Sequence, residues 1–227
     1  MTAFKTLNDL DLELMPRRQR GRLVNSLSGF KSANLIGTAD DSGTLNLSIV
    51  SSVVHLGSDP ALLGMVMRPP VDRERGSHTY WNIRETGCYT INHVPHTHTV
   101  QAHQVSARYL EGVSEFDEVG LTPVYRCGFQ APAVEESPVR IGLERVDEWE
   151  IPMNQCRFVV GQIRWVEFPE TAWAQDGYLD LEALGVAALS SLDGYHTTKK
   201  QHRLAYAKPD VYPPESMEDF LSGWQDN

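Results

Sequence analysis

With 227 residues, 41% of them hydrophobic and 22% charged, the chain suits one large domain or two small ones whose core needs no disulfide staples. A net charge of −10 excludes a general nucleic-acid binder, which carries a basic footprint. No apolar run approaches the ~18–20 residues of a membrane span. Three scattered cysteines, Cys88, Cys127 and Cys156, form neither a disulfide framework nor a CxxC knuckle, so a cytoplasmic protein with reduced thiols is expected.

Residues 1–20 read as a polar N-terminal arm, punctuated by Pro16 and ending in the one strongly basic run, Arg17 to Arg22. Leu23, Leu27 and Phe30 recur at helical spacing, which predicts a short helix over Gln19 to Phe30 that closes at Gly29. Residues 33–38 (ANLIGT) form an expected strand, and Asp40-Asp41-Ser42-Gly43 is a hairpin turn. Beyond it the sequence alternates. Leu45, Leu47 and Ile49 fall on one face, and Asn46, Ser48 and Val50 on the other. A Ser51-Ser52 pair then interrupts an apolar run, a Gly57-Ser58-Asp59-Pro60 turn follows, and a second strand, Leu62 to Met67, exits on Arg68-Pro69-Pro70. Hydroxyls facing an arginine suit a phosphate-bearing ligand, because hydroxyls donate to phosphate oxygens and the guanidinium offers a planar fork. The same residue types are equally at home on a solvated sheet edge.

The stretch Ser77 to Gly87 predicts a two-turn helix, capped by Ser77 or Thr79 and ended by Gly87 in the left-handed position. Its N-terminus is a ready anion site close in sequence to Arg68, or else the start of an ordinary connector. Residues 88–94 (CYTINHV) follow as a strand. His93, His96, His98 and His103 then crowd into eleven positions. Imidazole is the commonest protein metal ligand, yet no acidic or thiolate partner stands at fixed spacing and no HExxH helix occurs. Thr99 to Leu110 predicts a helix. Val139 to Trp149 and Cys156 to Phe168 predict two long strands joined at Pro152-Met153-Asn154, with Gly161 marking a bulge or a close approach. Asp180 is expected to cap a helix over Leu181 to Leu189. Tyr195, His196 and Arg203 mark a segment suited to a second-substrate pocket or to packing, and residues 211–227 form an acidic tail.

Strands at intervals of eight to fifteen residues with antiparallel-type turns favour a mainly β, antiparallel barrel over a parallel α/β sheet. No GxGxxG follows a strand, and neither a Walker loop nor a GxSxG elbow is present.

Residues 46–60 (NLSIVSSVVHLGSDP) resemble the flavin-contacting strand and turn of the flavin reductase-like, FMN-binding split-barrel family. Residues 81–94 (WNIRETGCYTINHV) resemble that family's next element, a short helix closing on ETG before a strand. Residues 29–43 (GFKSANLIGTADDSG), the segments QAHQVSARY and SEFDEVGLTP, and RLAYAKP look like an uncharacterised branch of it. The turn departs from the better-known reductases in reading SDPA, without their second proline. Met67-Arg68-Pro69-Pro70 stands where they carry an Asn-Arg-Ser type segment.

The resemblance implies a six-stranded Greek-key split barrel over residues 21–210 with a few peripheral helices, a homodimer, and FMN near the subunit interface. Asn46, Ser48, Ser51 and Ser52 would face the flavin ring or ribityl chain, Arg68 with Thr79 would take the phosphate, and His103 would stand beside the ring. The implied activity is NAD(P)H-dependent flavin reduction, with hydride passing to flavin N5 and electrons leaving to a second acceptor or a partner oxygenase. Hydride transfer to N5 needs no side-chain acid or base, so no catalytic residue and no metal ligand is assigned. Two rivals stand beside it: a non-enzymatic FMN electron carrier or sensor, and a metal-dependent enzyme built on the His93–His103 cluster.

Overall fold

A computed structural model describes residues 2–224; Met1 of the expected arm and the last three residues of the expected tail lie outside them. The chain divides into two compact units, Met1–Thr197 and Thr198–Asn227. In chain order the first unit carries helices α1 (Asp9–Leu14) and α2 (Arg17–Leu27), strands β1 (Lys31–Ser32), β2 (Asn34–Ala39), β3 (Leu45–Val50), β4 (Val53–Ser58) and β5 (Ala61–Met67), helix α3 (His78–Thr86), and strand β6 (Cys88–His93). Helices α4 (Thr99–Gln104) and α5 (Glu115–Val119) follow. Then come strands β7 (Pro123–Val124), β8 (Ala133–Val134), β9 (Arg140–Ile151), β10 (Cys156–Glu167), β11 (Ala188–Ser190) and β12 (Gly194–His196). The second unit holds α6 (Met217–Trp224).

Seven strands form one antiparallel sheet in the order β3-β2-β6-β9-β10-β5-β4. Its two edge strands, β3 and β4, are consecutive in sequence, separated only by Ser51 and Ser52. Seven flat strands would hold the edges ~29 Å apart, at ~4.8 Å per step. The chain from Val50 to Val53 spans at most ~11 Å. The sheet therefore rolls until its edges meet at the serine pair. No ladder joins β3 to β4 among the described residues, so the roll stays split. The expected six-stranded barrel is corrected to seven strands and an open seam, because the serines break what the sequence presents as one long strand.

Every residue of β2 is buried, since the strand is covered on both faces. Leu35 joins Leu47, Val94, Ala102, Phe116 and Leu189 in a cluster beneath α4 and α5. Ile36 points the other way, to Met65, Ile83, Tyr89, Ile141, Leu143 and Val159 inside the roll. The longest pair, β9 with β10, shifts register at Gly161, where the sequence places a bulge. Glycine is required there: a Cβ at Gly161 would lie 2.1 Å from the Tyr89 hydroxyl.

Two helices differ from expectation. Residues 181–185 are turns rather than a helix, and Val186 bridges to Pro95 before β11 begins. The Asp180 carboxylate accepts from the Ala183 amide at 3.1 Å, a local bond that closes a turn without continuing. The helix expected over Thr99 to Leu110 stops at Gln104, beyond which Ser106, Ala107, Arg108 and Leu110 are exposed, leaving no continuous apolar face to bury.

Candidate functional site

The site is organised by α3, which packs against β2, β3 and β6. Thr79, Asn82 and Ile83 recur at helical spacing and are buried, so this face is driven inward. Gly87, with φ +74°, ends the helix, and its amide returns to Ile83 O at 3.0 Å. Ser77 does not cap the helix with its side chain; its hydroxyl accepts from the Val71 amide at 3.1 Å.

Asn46 and Ser48 share the inward face of β3, opposite Thr38 and Ile36 of β2. The buried Asn46 amide donates to Thr79 Oγ1 at 2.8 Å and to Thr38 Oγ1 at 3.2 Å. Thr79 in turn donates to Ser48 Oγ at 2.9 Å. Asn82 donates to Thr38 at 3.2 Å, and Arg73 holds Asn82 Oδ1 at 2.9 Å. The bonds therefore run in one direction. With both Asn46 protons and the Thr79 proton committed, Ser48 receives a bond and keeps its own proton for an acceptor outside the network. Sequence reading names Asn46, Ser48 and Thr79 but misses Thr38, Arg73 and Asn82. The three-residue step from Thr79 to Asn82 is the one signal that could have found Asn82.

Ser51 and Ser52 stand half-buried at the seam, adjoining Ser48 along the chain. The Ser52 carbonyl accepts from the Val66 amide at 2.9 Å, tying the seam to β5. Arg68 is exposed just past β5. His103 lies apart from the Asn46–Thr79 network in its bonding: its Nδ1 pairs with the Tyr195 hydroxyl at 3.2 Å, with the rings edge-on.

A small cleft opens above the N-terminus of α3, between Asp40, Asn46, Arg73, His78, Asn82 and Glu111. His78 Nε2 is sealed from solvent and bonds no protein group. Arg73 is spent on carboxylates, pairing with Glu85 and lying 3.7 Å from both Asp40 and Glu111. The Glu85 bond and the surrounding carboxylates hold its pKa above the ordinary arginine value. That wall of acids repels phosphate. Beneath β3, the buried Glu115 carboxylate accepts from the Leu47 amide at 2.9 Å, and desolvation raises its pKa. This bond also covers an edge strand that would otherwise present open amides.

The four histidines disperse. His93 Nδ1 is sealed, and burial lowers its pKa to about 4. His96 abuts Gly185, His98 pairs with Thr97, and His103 pairs with Tyr195. Among the described residues no three His, Cys, Asp or Glu side chains gather as a metal site requires.

The family model of the flavin reductase like domain matches residues 27–182. The chain belongs to that family. Among solved structures, this flavin reductase-like chain is similar to a provisionally named flavin reductase with a split barrel domain from Shewanella frigidimarina NCIMB 400. Identity is 46% over 90% of this chain and 100% of the other, with a TM-score of 0.85. It shares its fold with nitrilotriacetate monooxygenase component B from Bacillus cereus at 15% identity and a TM-score of 0.77, covering 90% of this chain and 100% of that one. It does so again with flavoredoxin of Desulfovibrio vulgaris (Miyazaki F) at 23% identity and a TM-score of 0.66, covering 81% and 93%. No curated protein matches the chain. Among the described residues no helix is long and apolar enough to cross a membrane.

Proposed function

We propose that this flavin reductase-like chain is a cytoplasmic, FMN-dependent oxidoreductase that takes hydride from NAD(P)H. The observation that carries the reading is the one-way hydrogen-bond chain ending at Ser48, beside the two half-buried seam hydroxyls of Ser51 and Ser52. These donors fit the acceptor-rich edge and ribityl chain of a flavin. Arg68, exposed and without an ion pair among the described residues, is the phosphate partner in this reading; Arg73, already surrounded by carboxylates, is not. Thr79 acts through Ser48 and Asn46 rather than by touching phosphate itself.

When bound, the flavin supplies the hydride-accepting and electron-donating chemistry. The chain's own residues position it, and none is needed to move a proton at N5. Edge strand β4, whose Val54 and Leu56 are 47% and 41% exposed, favours a homodimer. Structural neighbours named as monooxygenase components make a partner oxygenase a natural electron recipient.

The test is the visible spectrum of the purified protein with added FMN, followed by NADH or NADPH without oxygen. Bleaching of a bound flavin is expected. A bound flavin that neither nucleotide bleaches would make the protein a carrier or sensor, and absence of binding would remove the flavin from the reading.

A further inference from the structure

The C-terminal end of α3 borders a second recess, of about 410 Å³, lined by Thr86, Gly87, Phe129, Gln130, Glu144 and Arg145. That is within the range of ~300–1,000 Å³ that holds small organic ligands. Arg145 is the unusual member. It is half-buried on β9, its Nε is sealed from solvent, and no side-chain bond or ion pair satisfies it among the described residues. Its counterparts on β9 and β10 are neutralised: Arg140 by Glu167 at 2.5 Å, Arg157 by Glu150 at 2.6 Å, and Arg164 by Glu144 at 2.6 Å.

Glu144 is thus spent on Arg164, which holds it by a second bond from Nε at 2.8 Å. The end of α3 does not use the guanidinium either. Ile83 O takes the Gly87 amide, Asn82 O takes the Thr86 hydroxyl, and Gly87 O takes the main-chain amide of Arg145 itself. The Arg145 guanidinium thus has no acceptor among the described residues, and a carboxylate in the recess that it lines would supply one. The facing wall is aromatic and braced: Phe129 packs edge-on against Trp165 at 6.0 Å, and Trp165 lies so close over Gly142 that a Cβ there would meet its indole at 2.0 Å.

We propose that this recess binds a small aromatic carboxylate, with Arg145 and Gln130 holding the carboxylate and Phe129 facing the ring. The site is separate from the one assigned to flavin, from which α3 divides it.

Calorimetric titration of the full chain with benzoate, and with neutral benzamide, tests the assignment. Benzoate is expected to bind, with benzamide about tenfold weaker or worse, because only the carboxylate completes the guanidinium fork. R145Q should lose about tenfold in benzoate affinity and R145K should fall between, keeping charge without the fork. Thermal unfolding of each variant checks that it folds. Phe129→Ala and Gln130→Ala lie in the connection between β7 and β8, outside the main sheet, and keep the assignment testable if R145Q does not fold; each should weaken benzoate about threefold or more. Equal affinity for benzoate and benzamide, no benzoate binding at about 10 mM, or unchanged affinity in these variants would overturn it. So would competition by saturating FMN, which would place benzoate in the flavin site instead.

Discussion

The Thr79 hydroxyl donates to Ser48 Oγ at 2.9 Å while accepting from the Asn46 amide at 2.8 Å, so one side chain of α3 fixes the orientation of two on β3. Thr79→Val keeps the shape and removes both bonds, leaving Asn46 buried with one proton unsatisfied. The expected cost is ~1–3 kcal/mol in denaturant unfolding, recovered largely by Thr79→Ser. If flavin binds through Ser48, FMN affinity falls with it.

Ser51 and Ser52 carry no side-chain bonds to protein among the described residues, which leaves both hydroxyls free for the flavin proposed above. A Ser51→Ala/Ser52→Ala double variant is expected to unfold near the wild-type midpoint and to bind FMN about thirtyfold more weakly, as loss of two hydrogen bonds at ~1 kcal/mol each implies. Wild-type FMN affinity in that variant, measured by flavin fluorescence, would move the flavin off the seam.

Gly161 and Tyr89 make a packing pair. Gly161→Ala drives a methyl to 2.1 Å from the Tyr89 hydroxyl and 3.0 Å from Leu143 Cδ2, for an expected loss of ~1–3 kcal/mol. The Tyr89 hydroxyl is sealed and unpartnered, so Tyr89→Phe alone should be neutral or stabilising. The double variant should recover part of the Gly161→Ala loss in the same denaturant measurement.

Two buried groups tilt stability with pH in opposite directions. His93 has its pKa lowered by burial to about 4, so the unfolded chain binds the extra proton first; stability is lost as pH falls from the ordinary value of 6.5 toward 4. Glu115 has its pKa raised by desolvation, so the folded chain holds its proton longer; that contribution is full below the ordinary 4.5 and is lost as pH rises through the folded value. Unfolding midpoints across pH 4–7 should flatten at the acid side in His93→Gln. Glu115→Gln, whose amide oxygen still accepts from Leu47, should gain on wild type more at pH 7 than at pH 4. An unchanged profile in either variant would show that its group does not titrate differently on folding.

The sequence by itself determined what is local. Alternation set the faces of β3, so Asn46 and Ser48 fall together; helical spacing and Gly87 set α3; a mid-strand glycine marked the bulge at Gly161; and, RLAYAKP apart, the stretches resembling the flavin reductase-like family lie within the 27–182 span that the family model matches. Spacing along a chain cannot say which distant residues meet. Only the tertiary structure decided that Ser51-Ser52 is a seam between the two edges of a rolled sheet. The rest likewise depends on bonds made across strands and helices: Thr79 completes a chain of bonds through Thr38 and Asn82, Arg73 is consumed by carboxylates, and the crowded histidines part company in space. The physical reason is reach. Side-chain bonds act over about 3 Å in space, whereas the partners of Thr79 stand 31 and 33 positions away in the chain.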